Sequence, residues 1–114
     1  MDRQMLQMDD PVFAASVNKT AKAPITVAPA GLSCQAELFL GTSPTNKAAT
    51  SGLISFTSTG AQQLISLPVT MPAAGGVAYH VYLDVYAEGY LLLAYLATED
   101  VIIPSGSVGP ITWT

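Results

Sequence analysis

The 114-residue chain is half apolar, yet only 11% of its residues are charged, whereas a soluble domain usually has about 25%. Its formal net charge is −4, and neither Lys nor Arg follows Lys47. Because proteins bind nucleic acids and anionic membranes through clustered basic residues, this charge distribution argues against both kinds of partner. The length fits one domain with its own hydrophobic core.

The shortage of charge has two compatible explanations. Uncharged polar side chains can cover the surface, as in many secreted or virion proteins, or neighbouring subunits can cover it. Both explanations stay open at this point.

Residues 1–23 are predicted to form an N-terminal arm because they mix Met, Gln, Asp and Lys without a sustained hydrophobic period. The first ten residues lack the apolar stretch of a signal peptide, so ordinary secretion is not expected if Met1 is the native start. Phe13 and Val17 are predicted to supply the apolar contacts of the arm. Our hypothesis is that these contacts reach a neighbouring subunit, and the alternative is that the arm packs on its own domain.

Residues 24–114 are predicted to form one antiparallel β-sandwich of about seven strands. Short apolar runs alternate there with Gly, Pro, Ser and Thr, and no apolar stripe has the spacing of a capped helix. The predicted strands lie within residues 25–30, 32–41, 52–59, 62–72, 77–87, 90–103 and 110–114.

The run at residues 77–87 alternates apolar and polar side chains, which is typical of a half-buried antiparallel strand. One face is therefore predicted to belong to the core and the other to be exposed. The core face holds Val77, Tyr79, Val81, Leu83 and Val85, and the exposed face holds His80, Tyr82, Asp84, Tyr86 and Glu88.

A hairpin turn is predicted at residues 87–90, where Gly89 can adopt a positive φ. The strand that follows begins "YLLLAYLA" and is apolar on both faces. This pattern indicates either a central strand or a strand that a neighbour covers. The run is too short to span a bilayer.

No catalytic, cofactor-binding or metal-binding residue is predicted, and the chain is not expected to be an enzyme. His80 and Asp84 share a face, but residues four apart along a strand are about 13 Å apart and cannot form a dyad. One Cys and one His cannot make a structural zinc site, and the acidic pairs lack calcium-loop spacing. Cys34 cannot form an internal disulfide and is predicted to be a buried thiol.

The segments "AELFLG" (36–41) and "QQLISLPVTMPAAGGVAYHVYLDV" (62–85) resemble immunoglobulin-like and fibronectin-III-like sandwiches. The adhesion-type repeats of prokaryotic surface proteins are the most similar of these. The resemblance covers about half of the chain, and the sequence lacks the Cys-Trp-Cys framework of true immunoglobulin domains. It implies a structural, adhesive or assembly role and carries over no functional residue.

These observations predict a non-enzymatic structural protein that forms homo-oligomers or a larger assembly through its sandwich and its arm. Two settings stay open, a virion subunit such as a capsid decoration or tail protein, and an adhesion module of a prokaryotic cell-surface protein. A third possibility is carbohydrate binding, for which His80, Tyr82 and Tyr86 would form a stacking platform. No cofactor and no membrane insertion are expected.

Overall fold

The computed structural model describes residues 10–114, and this part of the chain is an all-β, antiparallel, sandwich-like fold. It contains eight strands. They are β1 (Asn18–Thr26), β2 (Ser33–Ser43), β3 (Asn46–Thr50), β4 (Ile54–Thr57), β5 (Gln62–Thr70), β6 (Val77–Ala87), β7 (Tyr90–Leu96) and β8 (Val101–Ile103).

The strands form two sheets of unequal size. β1 and β5 pair along their full lengths as a two-stranded sheet. The second sheet has six strands, with β2 and β6 paired at its centre. β3 and β4 pair with the outer edge of β2, whereas β7 and β8 pair with the outer edge of β6.

The core lies between the two sheets and follows the period-two alternation of the strands. In β5, Ile65, Leu67 and Val69 are buried, and the residues between them are exposed. In β2, Ala36, Leu38 and Leu40 belong to the same hydrophobic cluster. Strand register therefore decides which side chains form the core.

The face assignment for β6 agrees with the structure on its inner side. Tyr79 and Val85 are buried, and Val81 and Leu83 are partly buried against the same cluster. The opposite face is less exposed than predicted, because His80, Tyr82, Asp84 and Tyr86 are each only partly exposed. The burial comes from side chains of neighbouring strands, which a single-strand pattern does not reveal.

The eight strands agree with the prediction of about seven, but the predicted bounds of several strands need correction. β1 begins at Asn18, inside the segment predicted to be an arm, because pairing with β5 orders residues with little apolar character. β3 was not predicted, and the predicted strand at residues 90–103 divides into β7 and β8. The strand predicted at residues 110–114 is absent. The segment around Trp113 has high β-propensity, but no strand among residues 10–114 pairs with it.

Residues 11–17 of the predicted arm lie against the domain of their own chain. Val12 forms a parallel bridge with Ile102, and the Ile102 N–H donates to the Pro11 carbonyl at 2.9 Å. Phe13 and Val17 are partly buried against the core cluster. The first nine residues of the arm are outside the described part of the chain, and its proposed contact with a neighbour stays a prediction.

The turn between β6 and β7 is a two-residue hairpin closed by the pair Ala87 and Tyr90. Its central residues, Glu88 and Gly89, have φ angles of 51° and 85°, as expected for a tight turn whose twist matches the strands. The Glu88 carboxylate accepts a hydrogen bond from the Ser33 N–H at 2.6 Å, and the Glu88 N–H donates to the Ser33 carbonyl. These contacts fix the start of β7 relative to β2.

Candidate interaction surface

β7 is the most unusual surface feature of the fold, because its apolar side chains face solvent. All seven of its residues are exposed, and exposure ranges from 48% at Leu93 to 78% at Tyr90 among its large side chains. The sequence pattern of this strand, apolar on both faces, predicts that it is either central in its sheet or covered by a neighbour. The structure rules out the central position, since β7 ends the path β3-β2-β6-β7.

The smaller sheet leaves the inner face of β7 uncovered. Leu93 and Tyr95 pair with Val85 and Leu83, so their side chains are on the face of the sheet that looks toward β1 and β5. Between β1 and this face of β7 lies a groove of about 400 Å³. This groove is lined by Ala23, Pro24, Ile25, Thr26, Leu83, Val85, Leu93, Ala94 and Tyr95.

Apart from the four-residue β4, which has neither Lys nor Pro, the other edge strands carry features that discourage pairing with another chain. β1 contains Lys22 and Pro24, β3 contains Lys47, and β5 contains Pro68. The edge of β8 is occupied by the bridge from residues 11–13. β7 has neither charge nor Pro, and within residues 10–114 no strand pairs with its outer edge.

A second apolar segment follows β8. Residues 104–114 are all exposed, and Val108, Ile111 and Trp113 have exposures of 85%, 74% and 90%. A Trp is usually largely buried in a folded domain. This segment and β7 therefore concentrate apolar side chains on the surface.

The outer face of the large sheet holds the aromatic residues predicted as candidates for interaction. The Tyr82 ring stacks on Phe39 with centroids 5.0 Å apart and an interplanar angle of 16°. His80 meets the edge of Tyr82, with centroids 6.3 Å apart. Tyr86 pairs with Leu91 of β7 and with Gln35 of β2. The three candidates His80, Tyr82 and Tyr86 therefore share one face, whereas Phe13 and Val17 contact the core elsewhere.

His80 is paired with a carboxylate that the sequence analysis missed. Its Nδ1 is 2.9 Å from Oδ1 of Asp100, which lies just before β8. The Asp100 N–H in turn donates to the carboxylate of Asp10. The pair thus joins β6 to the connection before β8, close to the attachment of the arm. Only the pairing of β8 with β6 brings these residues together, so no sequence spacing indicates the contact.

Glu37 forms the most buried ionic contact of the outer face. Its carboxylate accepts hydrogen bonds from Lys47 Nζ at 2.8 Å and from the Thr50 hydroxyl. Burial by itself raises the pKa of Glu37, but the hydrogen bonds from Lys47 and Thr50 and the charge of Lys47 outweigh it, so the net pKa is lowered. The hydrogen bond to Glu37 is the main cause of a raised pKa at Lys47. This cluster ties β3 to β2 and is structural.

Among residues 10–114, no three His, Cys, Asp or Glu side chains are grouped to hold a metal ion. Cys34 is buried with 1% exposure and carries its thiol in the core. No helix in the same range is long and apolar enough to cross a membrane.

Comparison with known proteins finds no matching family model, no similar characterised protein and no similar solved structure. The class that the fold defines is an all-β antiparallel sandwich. The finer resemblance to immunoglobulin-like domains and adhesion repeats stays a prediction.

Proposed function

We propose that this chain is a non-enzymatic structural protein that associates with further copies of itself, and that β7 is its main association surface. The observation that carries the proposal is the exposure of the whole strand "YLLLAYL" at an edge without protecting residues. An exposed apolar patch near the upper size range of a monomer's largest patch is often functional, and such patches commonly mark interaction sites.

The energetics of burial support association through this strand. Burying the remaining surface of a half-exposed Leu side chain contributes about 1 kcal/mol. Six large apolar side chains of β7 are available on each copy. Several such contributions from both partners are needed to offset the entropic cost of association, about 4–15 kcal/mol.

Sedimentation velocity over a wide concentration range tests the proposal. The parent chain should form a concentration-dependent assembly, and Leu93→Lys should shift it to the monomer without changing its circular dichroism spectrum. Leu64→Lys is the matched control, because Leu64 is 64% exposed on β5, outside the β7 surface. A parent chain that stays monomeric, or a loss of assembly in both variants alike, would contradict the proposal.

Two biological roles fit a chain that associates with itself in this way. It is either a subunit of a virion or a module of a cell-surface protein. Low charge, small size and an exposed apolar edge are compatible with both. The neighbouring genes in the source genome would separate them, since virion genes cluster with other particle genes.

Carbohydrate binding has less support than protein association. One face of the Tyr82 ring is covered by Phe39, so that face is closed to a sugar ring. A glycan panel should give no signal that depends on Tyr82 and Tyr86. A reproducible signal lost in the Tyr82→Ala, Tyr86→Ala double variant would make carbohydrate binding the preferred function.

A further inference from the structure

We propose that the β7 strands of two copies pair antiparallel across a two-fold axis and join their large sheets into one continuous sheet. The inference rests on the proposed self-association and specifies its partner and geometry.

The outer edge of β7 fits another strand because no strand among residues 10–114 pairs with its backbone there. An edge strand presents a row of N–H and C=O groups that only an extended chain can satisfy in register. The side chains add no electrostatic obstacle, because β7 has no charged residue. A two-fold axis brings identical surfaces together, so the absence of charge also removes like-charge repulsion between the copies.

The sequence of β7 is compatible with pairing against itself. When the axis passes through Leu93, Tyr90 faces Leu96 and Leu91 faces Tyr95 of the other copy, so each aromatic residue meets a Leu. Such aromatic–aliphatic pairs are favourable cross-strand neighbours. This register also gives the greatest overlap of two seven-residue strands.

A two-fold pair centred on Leu93 covers the whole edge of β7. It therefore leaves less apolar surface exposed than a pair in a shifted register, which overlaps over fewer residues. The apolar side chains of one β7 amount to roughly 500 Å², near the upper range of a monomer's largest patch. A standard interface buries about 800 Å² per partner. The expected dimer is therefore weak and depends on concentration.

The segment at residues 104–114 of the same chain is poorly placed to cover β7. It leaves the sheet after Ile103, at the end of β8 that is farther from β7, since β7 and β8 pair with successive parts of β6. To return along the edge it would first meet residues 11–13, which already pair with Ile102. A second copy can pair with the same edge without displacing any strand of residues 10–114.

Disulfide scanning tests the geometry. In an antiparallel pair, opposed Cα atoms are about 4.5–5.5 Å apart, within the range of a disulfide, about 4.4–6.8 Å. A residue two positions from the axis is about 13 Å from its own copy across the dimer. Leu93→Cys should therefore form a covalent dimer under mild oxidation, whereas Leu91→Cys and Tyr95→Cys should each do so at least tenfold less.

A mixture of the Leu91→Cys and Tyr95→Cys chains should restore cross-linking, because the two positions face each other across the axis. Leu64→Cys is the exposed control outside the surface, and the parent chain controls for buried Cys34. All yields are read on non-reducing gels after exchange of the mixed chains.

The results separate this proposal from the proposed function. If the parent chain assembles but no Cys variant of β7 cross-links more than the Leu64→Cys control, the two-fold pairing is wrong and the proposed self-association is unaffected. If Leu93→Cys instead cross-links to a Trp113→Cys chain, residues 104–114 of the second copy occupy the edge, and the pairing is again wrong. If the parent is monomeric and no variant cross-links, both proposals fail.

Discussion

Two leucines of β5 offer a sharp test of the core because they differ in burial on one strand. Leu67 is fully buried with 0% exposure, and Leu64 is 64% exposed. The register of β1 with β5 pairs them with Ala21 and Pro24, which places them on opposite faces of the small sheet. Replacing each with Ala removes the same atoms from two opposite environments.

The expected cost at Leu67 follows from its burial. Leu→Ala at a buried site costs about 2–5 kcal/mol, because apolar contacts are lost and a cavity remains. We expect about 3 kcal/mol, since the small sheet has only two strands and can move partly into the space. Because a domain of this size is stable by about 5–15 kcal/mol, this is a large fraction of the total. At Leu64 the change should stay within about 0.5 kcal/mol.

Urea unfolding followed by circular dichroism measures both values. With a slope of about 2 kcal/mol per molar urea, Leu67→Ala should lower the midpoint by about 1.5 M. Its Tm should fall by roughly 10 °C, and Leu64→Ala should differ from the parent by about one tenth as much. A larger shift for Leu64→Ala would mean that β5 is displaced by one residue, and equal shifts would mean that the two sites do not differ in burial; either result would refute this register.

Three further substitutions test the sheet outside the core. Because the lowered pKa of Glu37 contributes stability that is full above its unfolded pKa and lost as pH falls through its folded pKa, Glu37→Gln should destabilise at pH 7, and urea titrations should show this difference shrinking as pH falls below the ordinary Glu pKa of 4.5. Gly41→Ala should lower Tm strongly, since an added Cβ would clash with the backbone carbonyl oxygen of Asn46, whereas Gly106→Ala has open space and should leave Tm unchanged. His80→Ala should cost less than about 1 kcal/mol by urea unfolding, because its side-chain contact with Asp100 is partly exposed.

The sequence predicted β6 best, because its pattern and its boundaries agree. Val77–Ala87 alternates along its length and is closed by Gly76 on one side and by the Glu88–Gly89 turn on the other. Both the period and the turn residues are local properties that are visible in one segment. The all-β class follows from the same local signals repeated along the chain.

The strands that sequence reasoning missed depend on partners distant in the chain. β1 is ordered by β5, whose paired residues lie 36 to 52 positions away in the chain. β3 consists of the weakly apolar residues 46–50, which are held by β2 and by the contact of Lys47 with Glu37. The error at residues 110–114 is of the opposite kind, because a strand is predicted there and none forms. Ile111 and Trp113 have high β-propensity, but propensity alone does not supply a neighbouring ladder.

The candidate surface could be predicted only in part. The apolar character of residues 90–96 on both faces was visible, and it left two interpretations open. Choosing between them requires the sheet order, which places β7 at an edge, and the small extent of the β1–β5 sheet, which leaves its inner face uncovered. Neither property is encoded within residues 90–96.

The contrast between the edges gives the strongest reason to regard β7 as functional. The chain has Lys or Pro on β1, β3 and β5, so its sequence does limit pairing at exposed edges. An edge of seven uncharged residues in the same protein departs from that pattern and exposes six large apolar side chains to water. The apolar sequence of β7 therefore conflicts with its exposed position. Where a sequence otherwise agrees with its fold, such a local conflict is expected at a site of function. Pairing with a second copy removes the conflict by satisfying both the backbone edge and the apolar side chains.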